Sequence, residues 1–115
     1  MEIRFYTLPS GGCPVEDYLD GLDARARDKT LRSVMLLREY GPLLREPDSK
    51  HLEDGIFELR TAVGGYAGRM LYFFRDGGTA VLTHGFAKRG RKTPRREIER
   101  AKRYRSDDLG REGFA

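Results

Sequence analysis

The chain has 115 residues, 38% hydrophobic and 35% charged, with a net charge of +4, so its length predicts one globular domain with a heavily ionised surface. The single cysteine, Cys13, excludes an internal disulfide and favours a reducing compartment, and the absence of CxxC and HExxH motifs argues against a structural metal site. No apolar run approaches the roughly 20 residues of a membrane span, and residues 1–12 lack the apolar segment of a signal peptide, so we expect a cytoplasmic protein without membrane contact.

The first half of the sequence predicts one strand followed by two helices. The strand is assigned to residues 3–8, which alternate weakly. The first helix begins at Pro14, because a helix start tolerates a missing N–H, and Asp23 caps a second helix that ends near Tyr40 before Gly41-Pro42. Residues 42–49 are assigned to a loop. The positions expected to face the core are Val15, Tyr18, Leu19 and Leu22 in the first helix and Leu31, Val34, Met35 and Leu37 in the second.

The second half predicts three strands and a final helix. A period of two begins at Gly55, a strongly apolar strand covers residues 69–75, and Asp76-Gly77 indicates a hairpin into a strand over residues 79–88. Thr93 and Pro94 open the final helix. The predicted fold is therefore α+β, with a small twisted antiparallel sheet, a helical hairpin on one face and a basic C-terminal helix, leaving the other sheet face free for a site. The side chains expected to share one face of the last strand are Leu82, His84, Phe86 and Lys88.

Positive charge is concentrated near the C-terminus. Residues 88–105 hold ten of the 22 Lys and Arg residues and only two Glu, whereas the rest of the chain is net acidic, with 12 basic against 16 acidic residues. Such a concentration is typical of a polyanion-binding surface, the alternative being a solvated helix without a partner.

Two arginines and two further side chains are candidates for chemistry on a phosphodiester. A hairpin would bring Arg69 close to Arg60, and two such cations repel one another unless an anion lies between them. His84 can move a proton near neutral pH, and Lys88 can stabilise a phosphorane. The alternatives are an ion pair of Arg60 with Glu58 and a purely structural His84.

Other residues are expected to bind the nucleic acid rather than to react with it. Aromatic rings can stack on bases, and exposed cations neutralise phosphates. Asp107 and Asp108 are expected to lie in a polar tail without a role. The candidates for RNA contacts are Lys50, Phe86, Arg89, Arg91, Lys92, Arg95 and Tyr104.

Four segments together resemble the toxins of bacterial type II toxin–antitoxin systems. They read DGIFELR (residues 54–60), GRMLYFF (68–74), LTHGFAKRGRKTP (82–94) and REIERAKRYRSD (96–107). The pattern is most similar to the phage-related, HigB-like branch of the RelE/ParE superfamily. The resemblance covers residues 1–108, and its most specific part is residues 85–94.

The resemblance implies a metal-independent and cofactor-independent endoribonuclease that cuts messenger RNA, typically on the ribosome, with the substrate's own 2′-hydroxyl as nucleophile. By position, it implies that Arg60, Arg69, Lys88 and His84 form the catalytic set and that Lys92 and the final helix hold RNA. It also implies a cognate antitoxin, expected to be a helix-turn-helix protein, and operator DNA that is bound only by the toxin–antitoxin complex.

Two other functions remain open from the sequence. One is a toxin of the same fold that poisons a protein target such as gyrase and needs no proton carrier. The other is a phage-derived nucleic-acid-binding module that has lost activity. The combination of Arg60, Arg69, His84 and Lys88 favours cleavage over the protein poison.

Overall fold

The computed structural model describes residues 1–112. Five strands, three α-helices and one 3₁₀ turn (Gly41–Leu43) follow one another along the chain. The strands are β1 (Glu2–Phe5), β2 (Ser49–Glu53), β3 (Ile56–Val63), β4 (Tyr66–Arg75) and β5 (Thr79–Ala87). The helices are α1 (Pro14–Asp20), α2 (Ala24–Tyr40) and α3 (Arg95–Glu112).

All five strands form one sheet in the order β1-β5-β4-β3-β2. Neighbouring strands from β2 to β5 are antiparallel, whereas β1 pairs with β5 in parallel. The α+β prediction is confirmed, but the sheet is mixed rather than wholly antiparallel. The sequence prediction also missed β2. Its residues, SKHLE, are mostly polar, and because β2 is an edge strand its side chains do not alternate between buried and exposed positions.

Helices α1 and α2 cover one face of the sheet. The Asp23 carboxylate accepts a hydrogen bond from the Ala26 amide at 2.8 Å and caps α2 as predicted, and Gly41 ends the helix with a positive φ of 51°. The predicted core positions Leu31 and Met35 are wrong, since they are 39% and 64% exposed. The buried stripe of α2 instead comprises Ala26, Thr30, Ser33, Val34 and Leu37.

Helix α3 packs on the opposite face of the sheet, over a second core formed by Tyr6, Ile56, Leu71, Phe73, Val81 and Ala101. The prediction that the helices lie on one face and leave the other open is therefore wrong. The physical reason is that β4 carries large apolar side chains in alternate directions along residues 70–73, all about 1% exposed or less, so both of its faces need a cover.

A β-bulge in β5 reverses the face on which some of its side chains were predicted to lie. Leu71 pairs with His84, but the next residue, Tyr72, pairs with Leu82, so Thr83 is the extra residue. Leu82 therefore lies in the core under α1 and α2, while His84 and Phe86 lie on the α3 side. The prediction that Leu82 shares a face with His84 is wrong for this reason.

The C-terminal acids also differ from their prediction. Asp107 and Asp108 belong to α3, and Asp108 is 6% exposed. Its carboxylate accepts bidentate hydrogen bonds of 2.8 Å from Arg4 and one of 2.6 Å from Arg75. The Tyr6 hydroxyl donates to Asp107 at 2.6 Å. These contacts fasten the last turns of α3 to β1 and β4.

Within the described residues, no helix combines the length and the apolar character that a bilayer crossing requires.

Candidate nucleic-acid interface

Arg60 and Arg69 face each other as partners in the β3–β4 register. The carboxylate of Glu58 lies between them. Arg60 Nε donates to Glu58 Oε2 at 3.0 Å, and Arg69 Nε lies 3.5 Å from Glu58 Oε1. Because Glu58 is only 3% exposed, this ion pair is held in surroundings that screen it poorly. The anion that two adjacent arginines require is thus supplied by the chain itself.

Thr93 joins the same cluster from the segment that connects β5 to α3. Its hydroxyl donates a short hydrogen bond to Glu58 Oε1 instead of capping α3. The carbonyl of Pro94 accepts the first amide bonds of the helix, from Glu97 at 3.0 Å and Ile98 at 3.4 Å. Glu58 therefore fixes both arginines and the basic connecting segment, residues 88–94, in one arrangement.

The three cations predicted to act on phosphate line one cavity of about 440 Å³ at the end of the sheet. Arg60 and Arg69 enter it from β3 and β4, and Lys88 enters from the residue directly after β5. Burial lowers the pKa of the Arg69 guanidinium, and Arg60 adds to this effect while Glu58 opposes it. Since the ordinary arginine pKa lies above 12, Arg69 keeps its charge at neutral pH.

A second, larger groove of about 680 Å³ lies between β2 and the start of α3. It shares Arg60 with the first cavity, so the two adjoin one another. Glu58 and Thr93 form part of its wall. The basic residues along the groove are Lys50, Arg60, Arg91, Lys92 and Arg95.

Among the described residues, four exposed cations that line these two depressions, and Arg89 in a small recess next to them, have no internal counter-ion. Across residues 1–112 their side chains form no hydrogen bond or ion pair. An uncompensated group of like charges raises the local electrostatic potential and favours binding of a polyanion. The five are Lys50, Lys88, Arg89, Arg91 and Lys92.

The cations of α3 mostly serve a different purpose, which is to fix the helix to the sheet. Arg95 binds Glu53 and Glu99, and Lys102 binds Glu53 together with Asp54. Hydrogen bonds from Arg95 and Lys102 lower the pKa of the Glu53 carboxyl to about 2. Within the described residues, fewer cations lack an internal partner than the charge of residues 88–105 suggests. The guanidinium of the predicted RNA contact Arg95 already binds Glu53 and Glu99.

His84 is buried, with 1% of its surface exposed. Its Nδ1 lies 3.0 Å from the Thr83 hydroxyl and its Nε2 lies 3.2 Å from Glu97 Oε1. Burial, together with the nearby charges of Arg100 and Arg103, lowers the pKa of His84 to about 3. The imidazole is therefore neutral at pH 7, and neither ring nitrogen faces solvent.

A family model described as "Phage derived protein Gp49-like (DUF891)" matches residues 17–106, more than three quarters of the chain. The chain belongs to the Gp49-like family of phage-derived proteins. This family is associated with toxin–antitoxin-like proteins. No curated protein matches the chain.

The two aromatic residues predicted to stack on bases are partly covered in this Gp49-like protein. Tyr104 stacks on Tyr6 with ring centroids 4.6 Å apart, and Arg100 donates to its hydroxyl at 3.0 Å. Phe86 is half-buried, with its ring centroid 5.8 Å from that of His84, and lines a small recess beneath the basic segment. Phe86 is therefore close to the candidate site, whereas Tyr104 belongs to the contact between α3 and the sheet.

The sequence predicted no role at this site for His51, Lys29 and Arg32. Glu58 was named only as an alternative ion-pair partner of Arg60, and Thr93 only as the start of the final helix. His51 lies on the uncovered edge strand β2, is exposed and lines the larger groove. Its Nε2 accepts a hydrogen bond from the Gly55 amide at 3.2 Å, and its ring packs edge-on against Phe57 at 4.9 Å. The signal available in the sequence was the KHLEDG segment, whose histidine lies next to Lys50. Over residues 1–112, no three His, Cys, Asp or Glu side chains cluster in a way that would hold a metal ion.

Proposed function

We propose that this Gp49-like protein is the toxin of a type II toxin–antitoxin system and a metal-independent endoribonuclease that cuts messenger RNA on the ribosome. The observation that carries the proposal is the convergence of Arg60, Arg69 and Lys88 on one cavity bordered by cations that have no internal partner within residues 1–112. The sequence resemblance to the HigB-like branch of the RelE/ParE superfamily supports the same function.

In the proposed reaction, the 2′-hydroxyl of one nucleotide attacks the adjacent phosphorus. A P–O bond forms to the 2′ oxygen, the P–O bond to the 5′ oxygen breaks, and the products are a 2′,3′-cyclic phosphate and a 5′-hydroxyl. One proton leaves the 2′-hydroxyl and one is delivered to the 5′ oxygen. Extra negative charge develops on the non-bridging oxygens, where fixed cations stabilise it most effectively.

The cations have distinct proposed roles. Lys88 is exposed at the cavity and can approach a non-bridging oxygen as a point charge. Arg60 and Arg69 are oriented beforehand by Glu58, so their binding of phosphate costs little side-chain entropy. Lys50, Arg89, Arg91 and Lys92 are proposed to hold the RNA backbone on either side of the reacting phosphate.

We do not assign proton transfer to His84. Its burial and its bonds to Thr83 and Glu97 support a positioning role, in which the imidazole fixes the bulge of β5 against α3. His51 is the histidine of this chain that lines the groove, and we assign proton transfer to it.

The proposed partners follow from the same function. They are messenger RNA and the ribosome, a helix-turn-helix antitoxin that blocks the cationic surface, and operator DNA bound by the toxin–antitoxin complex alone. The proposed location is the cytoplasm, and no cofactor is involved.

The direct test is addition of purified protein to a cell-free translation reaction programmed with one defined message, followed by primer extension. New 5′ ends that persist with EDTA-treated toxin stock and require translating ribosomes support the proposal. Inhibition without new ends would contradict it and indicate a protein target.

A further inference from the structure

Two cations of α2 line the cavity that holds Arg60, Arg69 and Lys88. These are Lys29 and Arg32, both exposed. Their side chains make no ion pair or hydrogen bond with any residue between 1 and 112. Nothing in the packing of α2 requires a positive charge at either position, because both side chains are exposed and the buried stripe of the helix comprises other residues.

Helix α2 is fixed relative to Arg60 by buried hydroxyl groups. Ser33 Oγ lies 3.4 Å from the Arg60 carbonyl oxygen, and Thr61 Oγ1 donates to Ser33 Oγ at 3.0 Å. Ser33 and Thr61 are 6% and 4% exposed. Arg32 directly precedes Ser33 and Lys29 lies one turn before it, so these contacts set the backbone positions of both cations beside Arg60.

The charge balance of the cavity is strongly positive. Among the described residues, Asp48 is the one carboxylate in its lining. The cations that surround it are Lys29, Arg32, Arg60, Arg69 and Lys88. Glu58 offsets part of the charge on Arg60 and Arg69 from beneath, but Lys29, Arg32 and Lys88 remain uncompensated within the described part of the chain.

We propose that Lys29 and Arg32 form a second phosphate subsite, which binds the RNA backbone on the α2 side of Arg60. The groove lined by Lys50, Arg91 and Lys92 binds the same strand on the β2 side, so the RNA crosses the end of the sheet with Arg60 at the crossing. The inference rests on the proposed function in that the bound polyanion is taken to be RNA.

An RNA strand explains this arrangement better than an acidic peptide does. Phosphates recur at every nucleotide, so one strand neutralises cations on both sides of Arg60 with a single repeating group. The two depressions adjoin through Arg60, and unpaired cations line both of them. A carboxylate-bearing segment would need its acids spaced to match each group separately.

The test measures binding without cleavage, by fluorescence anisotropy with a 12-nucleotide 2′-O-methyl RNA, which lacks the attacking hydroxyl. The variant is Lys29→Ala/Arg32→Ala. The matched control is Arg25→Ala/Arg38→Ala, which removes the same charge from exposed positions of α2 outside the cavity. Circular dichroism and urea unfolding of each variant verify that α2 is intact.

The inference predicts that the cavity variant binds the RNA about tenfold more weakly near 0.1 M salt. The slope of log affinity against log salt concentration should become shallower by about 1.4, because a single strand releases about 0.7 counter-ions per phosphate contact. The control keeps a slope within about 0.3 of wild type by the same reasoning. If both variants lost RNA affinity equally, or neither lost any, the second subsite would be overturned while the proposed nuclease would still stand. Wild-type protein that fails to bind the RNA, or binds polyglutamate more tightly, would overturn the RNA assignment itself.

Discussion

Arg60 lies directly opposite Arg69 across the β3–β4 pair, and the buried carboxylate of Glu58 bonds to one and lies within ion-pair distance of the other. This arrangement resolves the repulsion between two adjacent guanidinium groups without an external ligand. In the proposed reaction it would hold both groups in place before the RNA binds, as electrostatic stabilisation of a transition state requires.

Removing the charge of Glu58 should destabilise the fold. Glu58→Gln leaves Arg69, whose side chain is 11% exposed, beside Arg60 with no counter-ion between them. Breaking a buried pair in this way costs about 2–4 kcal/mol of unfolding free energy. Urea denaturation at pH 7 measures the loss.

The matched control for that variant is Glu46→Gln. Glu46 binds the same Arg60 at 3.3 Å but is 62% exposed, so its loss should change stability by less than about 0.5 kcal/mol. Equal effects from the two variants would show that Glu58 is not the internal counter-ion.

Unpaired cations of the connecting segment should matter more for RNA binding than paired cations of α3. Lys92→Ala removes a charge that has no partner in the described part of the chain, whereas Lys102→Ala removes one that binds Glu53 and Asp54. We expect Lys92→Ala to reduce the salt slope of RNA binding by about 0.7. Lys102→Ala should leave the slope unchanged and lower thermal stability slightly. The reverse pattern would place the RNA along α3.

The burial of His84 should contribute to acid sensitivity. Its pKa is about 3 in the folded chain and near 6.5 when unfolded, so the unfolded state binds the extra proton between these values. Stability from this group is therefore present above pH 6.5 and is lost as the pH falls toward 3. His84→Gln keeps polar contacts without this titration. Between pH 7 and pH 4 the free energy of unfolding of the variant should fall by on the order of 2 kcal/mol less than that of wild type. Parallel curves of unfolding free energy against pH would contradict the assignment.

The ring of Tyr18 packs against the sheet where β4 and β5 carry Gly68 and Gly85. A Cβ at Gly85 would lie 2.3 Å from Tyr18 Cδ2, so Gly85→Ala should cost about 1–3 kcal/mol through overpacking. Gly78→Ala is the control, because no atom of the described residues lies within 4 Å of a Cβ built there. Chemical denaturation of both variants compares the two costs, and a neutral Gly85→Ala would show that α1 can move away from the sheet.

The sequence predicted the parts of the fold that depend on local signals. The Asp23 cap, the Gly41 helix end and the Asp76-Gly77 hairpin are each set by one or two residues, and all appear where predicted. The facing of His84 could not be predicted, because a bulge at Thr83 leaves no mark in a two-residue period. The side of the sheet covered by α3 was also missed, since its basic composition masks the buried positions Ile98 and Ala101.

The same distinction applies to the candidate site. The convergence of Arg60 with Arg69 was predictable from one hairpin. The position of Lys88 near them was predictable because it directly follows β5. The contribution of Lys29 and Arg32 was not predictable, because it depends on how α2 docks on β3 through Ser33 and Thr61. Ion pairing of the α3 cations with β2 depends likewise on tertiary contacts between distant segments.

The central claim is that Lys88 takes part in cutting translated messages. The most direct measurement is 5′-end mapping of transcripts after induced expression of wild type and Lys88→Ala, with Arg96→Ala as a control for loss of one exposed charge away from the cavity. The account predicts new 5′ ends within translated regions for wild type and the control, and their absence for Lys88→Ala at equal protein level. Unchanged cleavage by Lys88→Ala, or growth arrest by wild type without new ends, would contradict it.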